Sequence, residues 1–477
     1  MVLTRVRDRA APGGLGRDEA GRQACATANG NAAVRDVRAA ARQRQCTAMP
    51  SNLHPQHLNN PALAPLLPGG LSRGLAKGAG LPRRYSACLV LMAVSVTIFL
   101  LHTVLLSDAR NFGQVPLLGR TIQSWSEDVD EEALSAEQAE SLANQRRLLA
   151  DEMLGYAYGR HGDNVSSLAD LVPEQGGTPR RSVVLTTWRS GSTFVGDVLN
   201  SHPASWYHYE PLLDLDIVQV RGPPLADRAQ FTLKQLLNCN YTGLDHYLEY
   251  GKKHVFLFTH NRRLWLQCEA HPNLCWRPEF LSAMCKLFPV QNMKVVRLRV
   301  SLAEKLLKDK SLPNVRILLL VRDPRGTMQS RRHRDWCPGN PDCDDPALLC
   351  ADLANDYYAA VKLSRKYPDR FKVMRYEDIS MDPYRKVKEM LRFLQLNFHP
   401  AVQLFLDTHT KENVGGVSST FRDSKVAPFH WRQDLSHRDV RRVQNVCVEA
   451  MQLWGYIPAL SAAHQLEFNP LAKFKLK

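Results

Sequence analysis

Residues 182–194 read SVVLTTWRSGSTF: an apolar, β-branched run breaks at a small polar turn, and an apolar helical pattern resumes through Phe194, Val195, Val198 and Leu199. A turn of this kind at the carboxyl end of a buried strand aims backbone N–H groups and the positive end of the next helix at an anion. Hydroxyls on Thr187, Ser190, Ser192 and Thr193 add donors around Trp188, Arg189 and Gly191. Ser-Gly-Ser alone is a common string in plain strand-helix turns; its place after a buried strand is what reads as a phosphate cradle. The segment is not a GxxxxGK[ST] loop, because Arg189 precedes Gly191 where a nucleotide triphosphatase carries Lys after its glycine.

A second junction repeats the design. Residues 315–321 (VRILLLV) run into Arg322-Asp323-Pro324-Arg325-Gly326, which opens a helical pattern containing Met328 and Ser330. Asp323 is the expected N-cap and Pro324 the first helical residue. Arg322 then ends a strand on the ligand edge, with Ser330 about two turns along the helix and within reach of the same anion.

Further short apolar runs at 254–259 (HVFLFT), 293–298 (MKVVRL) and 371–376 (FKVMRY) alternate with helical patterns. The expectation is an α/β, P-loop-like fold with a central, mostly parallel sheet flanked by helices and with ligands at the carboxyl ends of the strands. Transfer chemistry to an alcohol needs a base, and Glu210 in Tyr209-Glu210-Pro211 is the candidate, with His208 as competitor. Glu377 and Asp378 are adjacent, and on a strand would face opposite ways, which favours structural or substrate-positioning duty over a shared metal. Arg422 and Lys425 either meet an anionic ligand or form a solvated basic loop.

The formal net charge of +15 over 477 residues favours anionic partners, and no nucleic-acid reading motif accompanies it. Residues 85–106 (YSACLVLMAVSVTIFLLHTVLL) carry no formal charge and are about long enough to span a bilayer. Arg73, Lys77, Arg83 and Arg84 precede this run, and Glu127, Asp128, Asp130, Glu131 and Glu132 follow it. The positive-inside rule therefore predicts a single-pass type II membrane protein with 107–477 in the secretory lumen. The eight cysteines beyond the span and the sequons at Asn164 and Asn240 agree with that compartment. Disulfides are expected; zinc held by Cys337, Cys343 and Cys350 is the rival, without a CxxC pair to support it. The chain divides into a disordered cytosolic tail (1–84), the span (85–106), a stem (107–177), a catalytic domain (178–460) and a C-terminal tail (461–477). In the stem Leu134, Leu142, Leu149 and Met153 recur near helical spacing, interrupted at Gln138, and offer a stripe for homodimer formation.

The TTWRSGSTF segment resembles the 5′-phosphosulfate-binding loop of carbohydrate sulfotransferases, and LLLVRDPRGTMQS resembles their 3′-phosphate-binding element, with Arg followed eight positions later by Ser. Tyr209-Glu210-Pro211, Arg375-Tyr376-Glu377-Asp378 and Trp431-Arg432 also match, so the similarity covers roughly 181–456. It points to the group that sulfates the 6-hydroxyl of galactose, N-acetylglucosamine or N-acetylgalactosamine. The resemblance implies 3′-phosphoadenylyl sulfate (PAPS) as donor, a glycan or glycosaminoglycan acceptor, a Golgi membrane location and no metal. It assigns Thr187, Trp188, Arg189, Ser190, Gly191, Ser192 and Thr193 to the 5′-phosphosulfate, and Arg322 and Ser330 to the 3′-phosphate. Trp431 and Arg432 would cover the nucleotide, Arg189 would stabilise the leaving phosphate, and Glu210 would be the base. The segment 212–286, expected to face the acceptor, departs from vertebrate members of the group. A catalytically silent glycan-binding module and a P-loop kinase are the competing readings; the absent Walker lysine and the luminal topology stand against the kinase.

Overall fold

The computed structural model describes residues 131–161, 164–415 and 419–477. The predicted cytosolic tail, the predicted membrane span and the first part of the predicted stem lie outside these residues. Among the described residues no helix is long and apolar enough to cross a membrane.

Five strands form one sheet: β1 Arg180–Leu185, β2 Ser205–Tyr209, β3 Val290–Val295, β4 Val315–Val321 and β5 Phe371–Arg375. Their spatial order is β2-β3-β1-β4-β5 and every pairing is parallel. Helices cover both faces, which is why β1 and β3 are buried at every position. Polar side chains inside these strands satisfy one another: Ser182 bonds Asn292, and Asn292 Nδ2 donates to Ser205 Oγ at 2.6 Å.

Four of the five predicted strands are present. The run 254–259 is instead the short helix Phe256–Thr259, directly after the helix Asp245–Lys253, and it buries Leu257 and Phe258. A short apolar run fits a buried helical turn as well as a strand. The fifth strand is β2, whose sequence SWYHY pairs with β3 at the sheet edge.

The helices that matter for the site and its support are α1 Glu131–Glu152, α2 Ser192–Asn200, α3 Pro278–Lys286, α4 Pro324–Arg331 and α5 Pro346–Lys366. The stripe on α1 is covered within the same chain. Leu142 and Leu149 are buried, as is Met153 just beyond the helix; α1 packs on α3, and Ser141 Oγ donates to Gln267 Oε1 at 2.8 Å. The apolar face expected to serve a homodimer therefore packs within the same chain, on α3. The segment 461–477, expected as a C-terminal tail, also packs on the rest of the chain. Gln465 Nε2 donates to the carbonyls of Arg432 and Leu435 at 2.8 Å each, and Phe474 packs on Trp454 at 5.7 Å.

All eight cysteines beyond the predicted span are paired: Cys239–Cys285, Cys268–Cys275, Cys337–Cys343 and Cys350–Cys447. The zinc reading of Cys337, Cys343 and Cys350 is replaced by two disulfides. Asn164 is exposed, whereas Asn240 is half-buried and its Oδ1 accepts from the Thr242 N–H at 3.0 Å.

Candidate active site

A cavity of about 1280 Å³ opens at the carboxyl ends of the strands, between the β1–α2 and β4–α4 junctions. In the first junction Arg189 (φ 65°) and Gly191 (φ 83°) both turn left-handed before α2 begins at Ser192. Gly191 has a second reason to lack a side chain, since a Cβ there would lie 2.2 Å from the Tyr376 ring. Trp188, Arg189, Gly191, Ser192 and Thr193 line the cavity. Thr187 and Ser190 stand behind them and hold the loop's shape. The Ser190 hydroxyl donates to the Thr187 carbonyl at 2.9 Å, and Thr187 Oγ1 accepts from Arg331 Nη2 at 2.8 Å.

The second junction folds as expected, with Asp323 accepting from the Arg325 N–H at 2.9 Å and Pro324 in the first turn of α4. The two junctions are stitched together. Arg189 Nε donates to Ser330 Oγ at 3.1 Å, and Arg322 Nη1 donates to the Arg189 carbonyl at 2.8 Å. Burial, aided by the charges of Arg334 and Arg322, pushes the Arg189 guanidinium down to about 10. Arg322 Nε is buried without a hydrogen-bond partner among the described residues, as are Nε and Nη2 of Arg334. Unsatisfied buried donors on two guanidinium groups in one cavity wall are a place for an anion.

Glu210 completes the opposite wall. Its Oε1 accepts from Lys294 Nζ at 2.7 Å and its Oε2 from Arg297 Nη1 at 3.0 Å. Register makes this possible: Tyr209 pairs with Lys294 across β2 and β3, so the side chain after β2 meets the cations that end β3. Burial raises the Glu210 carboxyl, but Lys294 and Arg297 more than offset it and hold the group at about 2. His208 does not reach the cavity. Alternation along β2 turns it away from Tyr209 and onto the face of Trp206, where its Nε2 lies 2.7 Å from Tyr241 Oη and burial pushes it down to about 3, whereas Glu210 (φ 45°) leaves that alternation just past the strand.

Trp431 and Arg432 are behind the cavity wall. Trp431 is fully buried beneath Arg325, whose guanidinium lies 4.2 Å above the ring, and Arg432 Nη1 donates to the Phe468 carbonyl at 2.8 Å. Their neighbours Ala427, His430 and Asp434 form the wall, as does Arg422, while Lys425 does not. Glu377 and Asp378 sit on a short helix, Tyr376–Met381, and part company: Glu377 accepts from the Asp323 N–H at 2.9 Å and from Tyr456 Oη at 3.0 Å, while Asp378 pairs with Arg375 at 2.9 Å. Burial and then the neighbouring Asp323 push Glu377 up to about 7.

Sequence reasoning gave no role to Lys294, Arg297, Arg331 or Arg334. Two of them carried a signal, since residues 293–298 (MKVVRL) set two cations in an otherwise apolar run, one near the end of β3 and one just beyond it. A buried cation in such a place needs an anionic partner.

A family model described as a sulfotransferase domain matches residues 179–455. The chain is 28% identical over 329 residues to carbohydrate sulfotransferase 5 of Mus musculus, covering 60% of this chain and 83% of that protein. It is 27% identical over 333 residues to carbohydrate sulfotransferase 6 of Homo sapiens, covering 61% and 84%. Among solved structures, the sulfotransferase domain from the Synechococcus PCC 7002 olefin synthase aligns at 17% identity and a TM-score of 0.34, covering 58% of this chain and 93% of that one.

Proposed function

The chain belongs to the sulfotransferase family, and on that premise we propose that it moves the sulfuryl group of PAPS to the 6-hydroxyl of a sugar, N-acetylglucosamine, galactose or N-acetylgalactosamine, in a Golgi glycan. The protein would act as a type II membrane protein held by residues 85–106, with its cavity in the lumen. The observation that carries the reading is the meeting of Arg189, Arg322 and Ser330 of the two junctions with Glu210 in one cavity.

In the proposed reaction the acceptor oxygen forms a bond to sulfur while the bond from sulfur to the bridging phosphate oxygen breaks, and the electron pair leaves with the 5′-phosphate. Arg322 and Ser330 hold the 3′-phosphate. The backbone N–H groups at the start of α2, with Ser192 and Thr193, hold the 5′-phosphosulfate, and Arg189 neutralises the leaving phosphate; an arginine stays protonated and so works by charge. Glu210 takes the acceptor proton. Its low proton affinity in the resting cavity is the one observation that favours the silent glycan-binding reading. By analogy with phosphoryl transfer, a loose transition state moves the proton late, and Lys294 and Arg297 then have sulfuryl oxygens to turn to as Glu210 is neutralised.

The test is transfer of labelled sulfate from PAPS by the full chain, wild type beside Glu210→Gln, onto desulfated chondroitin, desulfated keratan and N-acetylglucosamine-terminated acceptors. Wild type is expected to label one acceptor at the 6-hydroxyl. The variant is expected to lose at least about a hundredfold in kcat while still binding the desulfated nucleotide. Nucleotide binding by both proteins without transfer to any acceptor would favour the binding module, and 2-O or 4-O products would overturn the regiochemistry.

A further inference from the structure

The segment that follows α4 enters the cavity from a side on which sequence similarity assigned nothing. Residues 337–343 close a small loop through the Cys337–Cys343 disulfide. The loop is tied to the phosphosulfate cradle, because buried Arg331 donates from Nη1 to the Cys343 carbonyl at 2.7 Å and from Nη2 to Thr187 Oγ1 at 2.8 Å. Cys337 and Cys343 pack in one apolar cluster with Trp188 and Val296. Just before the disulfide stands Trp336. Its carbonyl accepts from Asn340 Nδ2 at 2.8 Å, and its ring meets Trp188 edge to face at 6.4 Å. Trp336 lines the cavity and is still 36% exposed, the most exposed of the described tryptophans. The part of the indole left open to the cavity is apolar surface available to a ligand.

Position says which part of a ligand that is. From Glu210 the contacts run to Arg297 at 3.0 Å, from Arg297 to the Trp188 ring at 5.3 Å, and from Trp188 to Trp336 at 6.4 Å. Two intervening side chains, Arg297 and Trp188, link Trp336 to Glu210 without direct contact between the two, so Trp336 meets a part of the acceptor other than the group at Glu210. The Arg322 guanidinium lies 5.1 Å over the Tyr376 ring, and Ser330 accepts from Arg189 Nε at 3.1 Å. A pyranose presents an apolar C–H face that stacks on a rigid indole, whereas a nucleotide phosphate does not.

We propose that Trp336, fixed by the Cys337–Cys343 loop, is a sugar-binding platform that stacks on the residue flanking the sulfated sugar, so that the enzyme selects a chain over a single sugar. This rests on the sulfotransferase reading above and adds a subsite to it. The test compares wild type, Trp336→Ala and Trp336→Phe on a monosaccharide methyl glycoside and on the tetrasaccharide of the series that wild type sulfates, with binding of the desulfated nucleotide measured for each. The expected result for Trp336→Ala is a KM for the tetrasaccharide raised about fivefold, the scale of one aromatic stacking contact. The monosaccharide KM, kcat and nucleotide affinity stay unchanged, and Trp336→Phe recovers part of the loss. An unchanged tetrasaccharide KM overturns the platform, and so does an equal rise for both acceptors. Absence of transfer by wild type to any sugar would instead refute the parent reading, and intact nucleotide binding shows that the variants are folded.

Discussion

Two carboxylates, the half-buried Glu210 and the buried Glu377, sit at the ligand edge of the sheet and are tuned in opposite directions, each by its surroundings. Glu210 is held at about 2 by Lys294 and Arg297 against the effect of burial. Its folded-state value is depressed, so the stability it contributes is present above its ordinary value of 4.5 and is lost as pH falls toward 2. Glu210→Gln removes that contribution at neutral pH and leaves two buried cations without a counterion, an expected loss of about 3–5 kcal/mol in urea unfolding. Saturating PAPS should restore part of it, because in the proposed complex its sulfuryl oxygens come to the same cations; a variant as stable as wild type would mean that the ion pairs contribute nothing. Glu377 is the reverse case, raised by burial and Asp323 from 4.5 to about 7. The stability it contributes is fully present below 4.5 and declines as pH rises to about 7. Glu377→Gln mimics the protonated acid and should match wild type near pH 5 but exceed it at pH 8 by about 2 kcal/mol. A variant less stable than wild type at pH 8 would show that the ionised carboxylate is the form the fold prefers.

At the scale of elements, the proposal gives the second strand-to-helix junction the 3′-phosphate of the donor, so a substitution there should touch the donor and not the acceptor. Arg322→Ala is expected to raise the KM for PAPS at least about tenfold, as loss of a charged hydrogen bond does, while the acceptor KM stays put; a change in the acceptor KM alone would place Arg322 elsewhere in the reaction. These junctions were legible in sequence because their signals are local: a β-branched run, a turn residue able to take φ 83° at Gly191, and a cap at Asp323 followed by Pro324. The edge strand β2 was not, since SWYHY mixes a half-polar pattern with buried aromatics whose partner, β3, lies some eighty residues on. The run at 254–259 misled for the opposite reason: its apolar content is real, but it is buried as a helical turn. In the site, Glu210 was legible from its place after α2, yet its cations were not. Lys294 and Arg297 reach it only through the register of β2 on β3, which no local pattern encodes. Trp431 packs beneath Arg325, behind neighbours that line the cavity, a placement that its sequence position did not distinguish from theirs.

For the molecule as a whole, the disulfides differ in what they constrain. Cys350–Cys447 joins the first turn of α5 to the start of the C-terminal segment across 97 residues, whereas Cys268–Cys275 spans only 7. If cross-links act mainly on the unfolded chain, the longer loop is worth more, about 4.7 kcal/mol against about 2.4 kcal/mol. Replacing Cys350 and Cys447 together by serine should therefore destabilise the full chain about twice as much as replacing Cys268 and Cys275, read as the fall in urea unfolding free energy. The C-terminal segment has another hold on the core. Trp454 Nε1 donates to the Leu353 carbonyl at 2.8 Å, and Arg375 Nη1 donates to the carbonyls of Gly455 and Ala472 at 3.0 and 3.1 Å. None of those contacts involves the cross-linked cysteines, and Tyr456 Oη, which donates to Glu377 at 3.0 Å, carries them to the second junction. The Cys350–Cys447 variant should then keep its nucleotide affinity while losing stability. If its nucleotide affinity fell as well, the cross-link rather than the packing would be what holds the second junction in shape.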